Sequence, residues 1–589
     1  MAKQYLSRSD EEIRDEMDKG GLIYRAGWPT LPLIPVEIVR EGARAAIPDS
    51  MERIEEADTI LQAQDIWNGI HGFVYRVPLD APEDEEDLSP YLTFLCTFNI
   101  SVFKQYEARK NVQIEVIDSR VIYCLYTFPI GRNREEIVER WEGVVAPIVL
   151  DLLKEHEWLS LEMVRRGFSD IPEECPPTIV ITTPTARNPK WTRTIKPAIS
   201  AAIANIAPDF EVEILCGKSL LGSRKKYKSS IHVNGTSYEK RVFMGSSIGI
   251  SGDPSSCSTL GGSVILEGGV RCGITNWHCV RDNRLDKIIS ETMEKALSVD
   301  NKTLMNAPQP VLSPSTYDHE RRQAYLQQLI QRYTAYAAKG QEVYKTLKKE
   351  NEEALINVER ASRNLGHVYA GSGHRTIAAN KYALDARAEQ PKERTILQFQ
   401  DQWILDWALI RIDDIKLREV GDMLPPTLSP RASPLVPYHW CNKWSTFDAN
   451  RKTIDVAKYG STTGITFGTI NPAIVYINPK SDAQLSAVNG FTEQTPASCF
   501  AVVMEDGKYP PFFEPGDSGS VVLHRKSGTQ LGLLFGMTSC DNALFIPMDL
   551  VFQDIERITG KRTGNCEVAQ IQITYPPGGV VEKAFMVSA

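Results

Sequence analysis

The sequence predicts a multidomain chain in which N-terminal α+β units precede an all-β barrel or sandwich interrupted by a long α-helical insertion. Three observations lead there. At 589 residues the chain exceeds one ordinary core and suggests two to four domains. From about Val242 it turns to short β-type runs parted by Gly, Ser and Pro, a texture that resumes after Asn364 and continues to about Asp549. Between those stretches lie charged, helix-favouring segments of different character.

Residues 1–170 open with an acidic, helix-like run, Ser9 to Lys19, and a turn region around Pro29, Pro32 and Pro35, read as an arm. Strand-like runs at Tyr91 to Ile100 and Val112 to Thr127, then a helical pattern from Arg134 to Arg166, suggest an α+β unit. The acidic run Asp80 to Asp87 reads as a solvated loop. In residues 171–241, Ile179 to Thr183, Lys196 to Ala207 and Phe210 to Cys216 read as strand, helix and strand, a βαβ element. Gly217-Lys218-Ser219 resembles the end of a phosphate loop, but Val212 stands where its first glycine belongs, which excludes nucleotide binding there. The basic stretch Ser223 to Ser230 is read as an exposed linker.

The β-rich unit spans 242–562. Leu260 to Leu266 and Val270 to Thr275 form a predicted hairpin around Glu267-Gly268-Gly269, and a helix is expected at Met548 to Thr559, before a tail at 563–589. The insertion, 281–365, carries two helical segments, Asn283 to Leu297 and Tyr317 to Leu365. In the second, Leu326, Leu329, Tyr333, Tyr336, Val343, Leu347, Ala354, Val358 and Ala361 mark one helical face. Unbroken, it would run about 70 Å, with Gly340 the place for a bend. Packing against its own protein is the first expectation for this arm; self-association or a protein partner is the second.

Composition excludes several classes. A formal net charge of -9 argues against general nucleic-acid binding, and no run of about 18 apolar residues marks a membrane span. Met1 to Gly21 has carboxylates where a secretory signal needs an apolar segment, and the eleven cysteines, without a CxxC pair, fit reduced thiols. A cytoplasmic protein is expected, with a nuclear one left open by the basic stretch. The absence of HExxH or paired CxxC spacing disfavours zinc.

The chemistry centres on Pro515-Gly516-Asp517-Ser518-Gly519-Ser520, where flanking glycines let the chain turn and aim the N–H groups of Gly516 and Ser518 at one oxygen. A serine needs a base and an acid to orient it. His278 ends the strand-like run from Cys272 and is expected at the tip of a hairpin strand; Asp406 heads the apolar run to Ile412, with Asp401 and Asp413 as less well placed competitors. An α/β-hydrolase is disfavoured, because Ser520 occupies the last glycine of G-x-S-x-G and His524 is the only later histidine.

Thr275-Asn276-Trp277-His278, Asp406-Trp407-Ala408-Leu409 and Gly516-Asp517-Ser518-Gly519, in that order, resemble the chymotrypsin-like (trypsin-fold) serine proteases of the PA clan, especially intracellular fungal members. The resemblance covers roughly residues 242 to 560 without the helical insertion, and Tyr459 to Gly468 and Leu533-Leu534-Phe535-Gly536 also look like family segments. It implies a trypsin-like double β-barrel and a serine endopeptidase acting on protein or peptide, without metal or cofactor. It implies Ser518 as nucleophile, His278 as base, Asp406 as orienting acid, and Gly516 and Ser518 as oxyanion donors. Phe512, six residues before the nucleophile, would floor the specificity pocket, with Phe535 and Gly536 lining the substrate strand. A non-acidic Phe512 does not support a preference for Arg or Lys. The alternative is a weak or inactive protease-fold module serving as an interaction or regulatory scaffold.

Overall fold

The computed structural model describes, apart from short gaps, residues 125–221, 241–379, 401–412, 454–485, 495–504 and 511–564, with separate elements elsewhere. The expected helix at Ser9 to Lys19, the basic stretch from Ser223, Asp413 and the tail beyond 564 lie outside the described residues. Before residue 118, β1 (Arg25–Trp28), β2 (Val36–Val39), β3 (Ile70–Pro78), β4 (Pro90–Leu95) and β5 (Gln113–Ile117) form a sheet ordered β1-β5-β4-β3-β2; helix α1 (Ser50–Ala63) lies between β2 and β3 in sequence.

The next layer joins β6 (Tyr126–Phe128), β7 (Ser160–Gly167), β8 (Pro177–Thr183) and β9 (Glu211–Cys216), with β8 and β9 parallel around α4 (Lys196–Ile203) as a βαβ reading requires. Helix α2 (Glu135–Arg140), a π-helical segment (Trp141–Val145) and α3 (Ala146–Leu153) pack with α4 in one apolar cluster. The helix expected from Arg134 to Arg166 therefore stops early. Ser160 to Gly167 is a strand because β8 pairs along one edge and β6 together with a long strand, β22 (Gly464–Ile477), along the other, so ladder bonds and burial override a charge-rich, helix-like spelling. The boundary expected at residue 170 falls between these paired strands.

Two barrels follow. In the first, β11 (Ser247–Ile250), β12 (Ser258–Thr259), β13 (Gly262–Leu266), β14 (Val270–Thr275), β15 (Pro310–Leu312), β16 (Asn364–Gly371) and β19 (Ala408–Arg411) run in the order β12-β11-β15-β16-β19-β14-β13, with β27 (Thr563–Gly564) beyond β13. Only Leu260-Gly261 separates β12 from β13, so one continuous segment supplies both ends and closes the sheet. In the second, β21 (Ile454–Gly460), β22 (Gly464–Ile477), β23 (Ala497–Met504), β24 (Val521–His524), β25 (Gln530–Met537) and β26 (Ala543–Pro547) close through the β22–β23 pairing. The 14-residue β22 reaches past the barrel to β7, and β17 (Arg375–Ala379) and β18 (Asp401–Leu405) add to β23. A separate parallel pair joins β10 (Arg241–Phe243) to β20 (Glu419–Gly421). Helix α10 (Met548–Thr559) occupies the predicted span and ends at Gly560 with φ +64°, the left-handed C-cap that glycine supplies.

Between β14 and β16 lie a helical turn α5 (Trp277–Val280), α6 (Asn283–Glu291), α7 (Lys302–Asn306), and then α8 (Thr316–Ala337) and α9 (Val343–Arg360). Asp282 caps α6 by accepting from Leu285 N at 2.7 Å, and Ser315 caps α8 through Asp318 N at 3.1 Å. The long helical face does not run straight: α8 and α9 fold back at Gly340, whose φ of +82° an L side chain rarely adopts. Tyr336 and Tyr333 pack against Tyr344 across the turn with tilted rings, centroids 4.9 and 5.7 Å apart.

Candidate active site

Register places the first two candidate residues together. β14 pairs with β19 up to Thr275 opposite Ala408, so the residues following one strand meet those preceding the other. Asn276 Nδ2 donates to the Asp406 carbonyl at 2.7 Å, and His278 N donates to Asp406 Oδ1 at 3.0 Å. His278 is therefore not at a strand tip as expected: β14 ends at Thr275, and the histidine sits on the turn α5, whose curl brings both its amide and its ring onto one carboxylate. Its Nδ1 lies 2.5 Å from Asp406 Oδ2. A carboxylate accepts, so Nδ1 carries a proton, and in the neutral ring Nε2 keeps its lone pair.

Asp406 is fully buried, and its backbone is clamped at the next residue. Trp407 N donates to Ser372 Oγ, Ser372 N donates to the Trp407 carbonyl, both at 2.8 Å, and the Trp407 indole donates to Asp554 at 2.8 Å. Burial alone would raise the Asp406 pKa, but His278 and then His374 outweigh it and hold the carboxyl below its ordinary range. Burial would likewise lower His278, but the Cys279 sulfur and Asp406 push it above the ordinary imidazole range.

The third candidate lies on the turn before β24. Asp517 is fully buried and organises it: Thr462 N and Thr463 N donate to Oδ1 at 2.9 and 3.2 Å, while Lys458 Nζ, Thr463 Oγ1 and Glu514 N donate to Oδ2 at 2.8, 2.7 and 3.1 Å. Lys458 is also fully buried, and burial lowers its pKa against the pull of Asp517. The first barrel holds the same turn from the other side. Thr259 N donates to the Ser518 carbonyl at 2.9 Å, and Thr259 Oγ1 and Ser461 Oγ donate to the Gly516 carbonyl at 2.8 and 2.9 Å. Among the described residues, neither the N–H groups of Gly516 and Ser518 nor Ser518 Oγ makes a hydrogen bond within the protein. His278 Nε2 faces Cys279 Sγ at 3.5 Å, and that sulfur is 3.8 Å from the Ser518 carbonyl.

Gly519 has φ +91°, and a Cβ there would come within 2.3 Å of both Thr259 O and Thr275 Oγ1. Gly519→Ala is expected to cost at least ~1–2 kcal/mol in urea denaturation from backbone strain alone; an unchanged midpoint would show that the turn can relax.

The expected substrate-lining residues are placed differently from the triad candidates. Phe512 and Phe535 are fully buried in separate apolar clusters, so neither side chain offers a surface. Beside Gly536 runs the chain's own segment: Met537 N donates to Leu220 O at 2.8 Å, and Leu220 N is held by Asp482 Oδ2 at 2.6 Å. Two residues escaped the sequence reading. Lys458 had a faint signal, a lysine in an apolar strand run just before the noted Tyr459-Gly460. His374 had none, since only the fold carries it to Asp406, with Nε2 3.4 Å from Oδ1.

No family model and no curated protein matches the chain. Among the solved structures that match, a protease from Nocardiopsis (NAPase) aligns over 55% of this chain and 98% of its own at 11% identity, with a TM-score of 0.23.

Proposed function

We propose that this chain is a serine endopeptidase. The observation that carries the reading is the double grip of His278 on Asp406, ring to one oxygen and amide to the other, beside a Ser518 turn whose two N–H groups have no acceptor within the described protein. In this reading Ser518 Oγ attacks the scissile carbonyl carbon and its proton passes to His278 Nε2. The oxygen that becomes negative is held by the N–H groups of Gly516 and Ser518, worth about 3 kcal/mol per donor. The imidazolium then returns the proton to the leaving amine. Water, deprotonated by the same nitrogen, hydrolyses the acyl-enzyme and restores the hydroxyl. For the first transfer, His278 Nε2 has to exchange its contact with Cys279 Sγ for Ser518 Oγ. A fluorophosphonate probe is expected to label the wild-type protein and not Ser518→Ala; folded wild-type protein that stays unlabelled would remove the reading.

A second reading, a protease-fold module with little or no turnover, is favoured by Leu220 on the strand edge beside Gly536 and by the buried Phe512 and Phe535. The two differ in turnover: labelling without hydrolysis of any peptide in a broad library would select the module.

A further inference from the structure

We propose that His374 is a positioning residue that holds the second oxygen of Asp406, in a tautomer set by Arg281. The inference deepens the peptidase reading and rests on it. His278, His374 and Asp406 place three ligand-type atoms within 4.8 Å of one another, a spacing that a cation could bridge. The fourth neighbour decides against that. Arg281 Nη1 lies 3.3 Å from His374 Nδ1. A guanidinium only donates, so Nδ1 accepts and the proton of a neutral ring resides on Nε2. That nitrogen, 3.4 Å from Asp406 Oδ1, is then a donor and offers no lone pair to a metal.

The charged and titratable groups about the ring alternate in sign. Asp286 on α6 meets Arg281 Nε at 3.4 Å, Arg281 meets His374, His374 meets Asp406, and Asp406 meets His278, whose ring centroid is 6.4 Å from that of His374. His374 and Asp406 are both fully buried, so water does not compete for either contact. His278 N–H donates to Oδ1 and its ring meets Oδ2; His374 Nε2, 3.4 Å from Oδ1 and without a hydrogen-bond acceptor in this arrangement, needs only a small shift to add a second donor to that oxygen. In the proposal, that closing contact resists rotation of the carboxylate away from the base. The chain of contacts also ties the first helix after the His278 turn to the acid.

The test has two parts. In full-length protein labelled with 15N-histidine, His374 is expected to show a protonated Nε2 and an unprotonated Nδ1; the opposite tautomer would overturn the proposal whether or not the protein cleaves peptides. In peptidase assays, His374→Phe is expected to lower kcat about 10- to 100-fold, the worth of one hydrogen bond to a charged group, with KM little changed. His374→Gln, whose side-chain amide restores an N–H donor, is expected to recover most of that loss if the donor rather than the ring matters. Equal losses in the Phe and Gln variants, or a Phe variant with wild-type kcat, would overturn it. Should His374→Phe fail to fold, the tautomer measurement on the wild type still decides.

Discussion

Lys458→Met is expected to destabilise the protein by about 3–5 kcal/mol, because it strips the cation from a buried pair and leaves an uncompensated carboxylate behind. Lys458 and Asp517 are both fully excluded from solvent and meet at 2.8 Å. The remaining donors to Asp517 are two threonine amides, one glutamate amide and one hydroxyl, all neutral. They satisfy the oxygens but not the charge, so the variant must protonate Asp517 or open the turn to water. Either outcome loosens the segment from Glu514 to Ser520 that carries the unpaired N–H groups. Fluorophosphonate labelling of the variant is therefore expected to slow along with the fall in urea midpoint. The double variant Lys458→Met/Asp517→Leu is expected to regain neither stability nor labelling, since the leucine removes the uncompensated charge but leaves the four other donors without an acceptor. A single variant with wild-type stability and labelling would show that the pair has no part in shaping the turn.

The parts legible in the sequence were those written in local pattern. The turn from Gly516 to Gly519 needs residues tolerant of positive φ, and glycines at both ends say so directly; their φ values are +103° and +91°. The hairpin around Gly268-Gly269 and helix α10 were readable for the same reason, each bounded by its own turn or cap. What was not legible depends on partners distant in sequence. Ser160 to Gly167 spells a helix until β8 and β22 claim its two edges. The turn α5 is too short to have a period, so His278 read as the end of a strand. Neither Lys458 nor His374 stands in a motif; each is recognisable only from the acid it meets, 59 and 32 residues further along the chain.

The pairing of His278 with Asp406 leads to the largest kinetic effect. Asp406→Asn is expected to lower kcat about ten-thousandfold, the order seen when the orienting acid of a Ser-His-Asp triad is replaced by its amide. The substituted side chain keeps the volume of the original, so the clamp on Trp407 and the pairing of β19 should survive, and thermal unfolding should move little compared with kcat. What changes is the sign of one contact. The oxygen facing His278 Nδ1 becomes an NH2 group if the amide oxygen stays on the His278 backbone N–H. Nδ1 must then accept, the proton moves to Nε2, and the base has no lone pair for the serine proton. The pH profile gives an independent check. Because Cys279 and Asp406 together hold His278 above its ordinary value, the wild-type kcat/KM is expected to fall as pH drops through a point above about 6.5, where the ring protonates. Without the carboxylate, the residual activity should lose rate only at lower pH, since less favours the imidazolium. A variant whose acid limb stays at the wild-type position would assign that limb to a group other than His278, and an unchanged kcat would remove Asp406 from the mechanism.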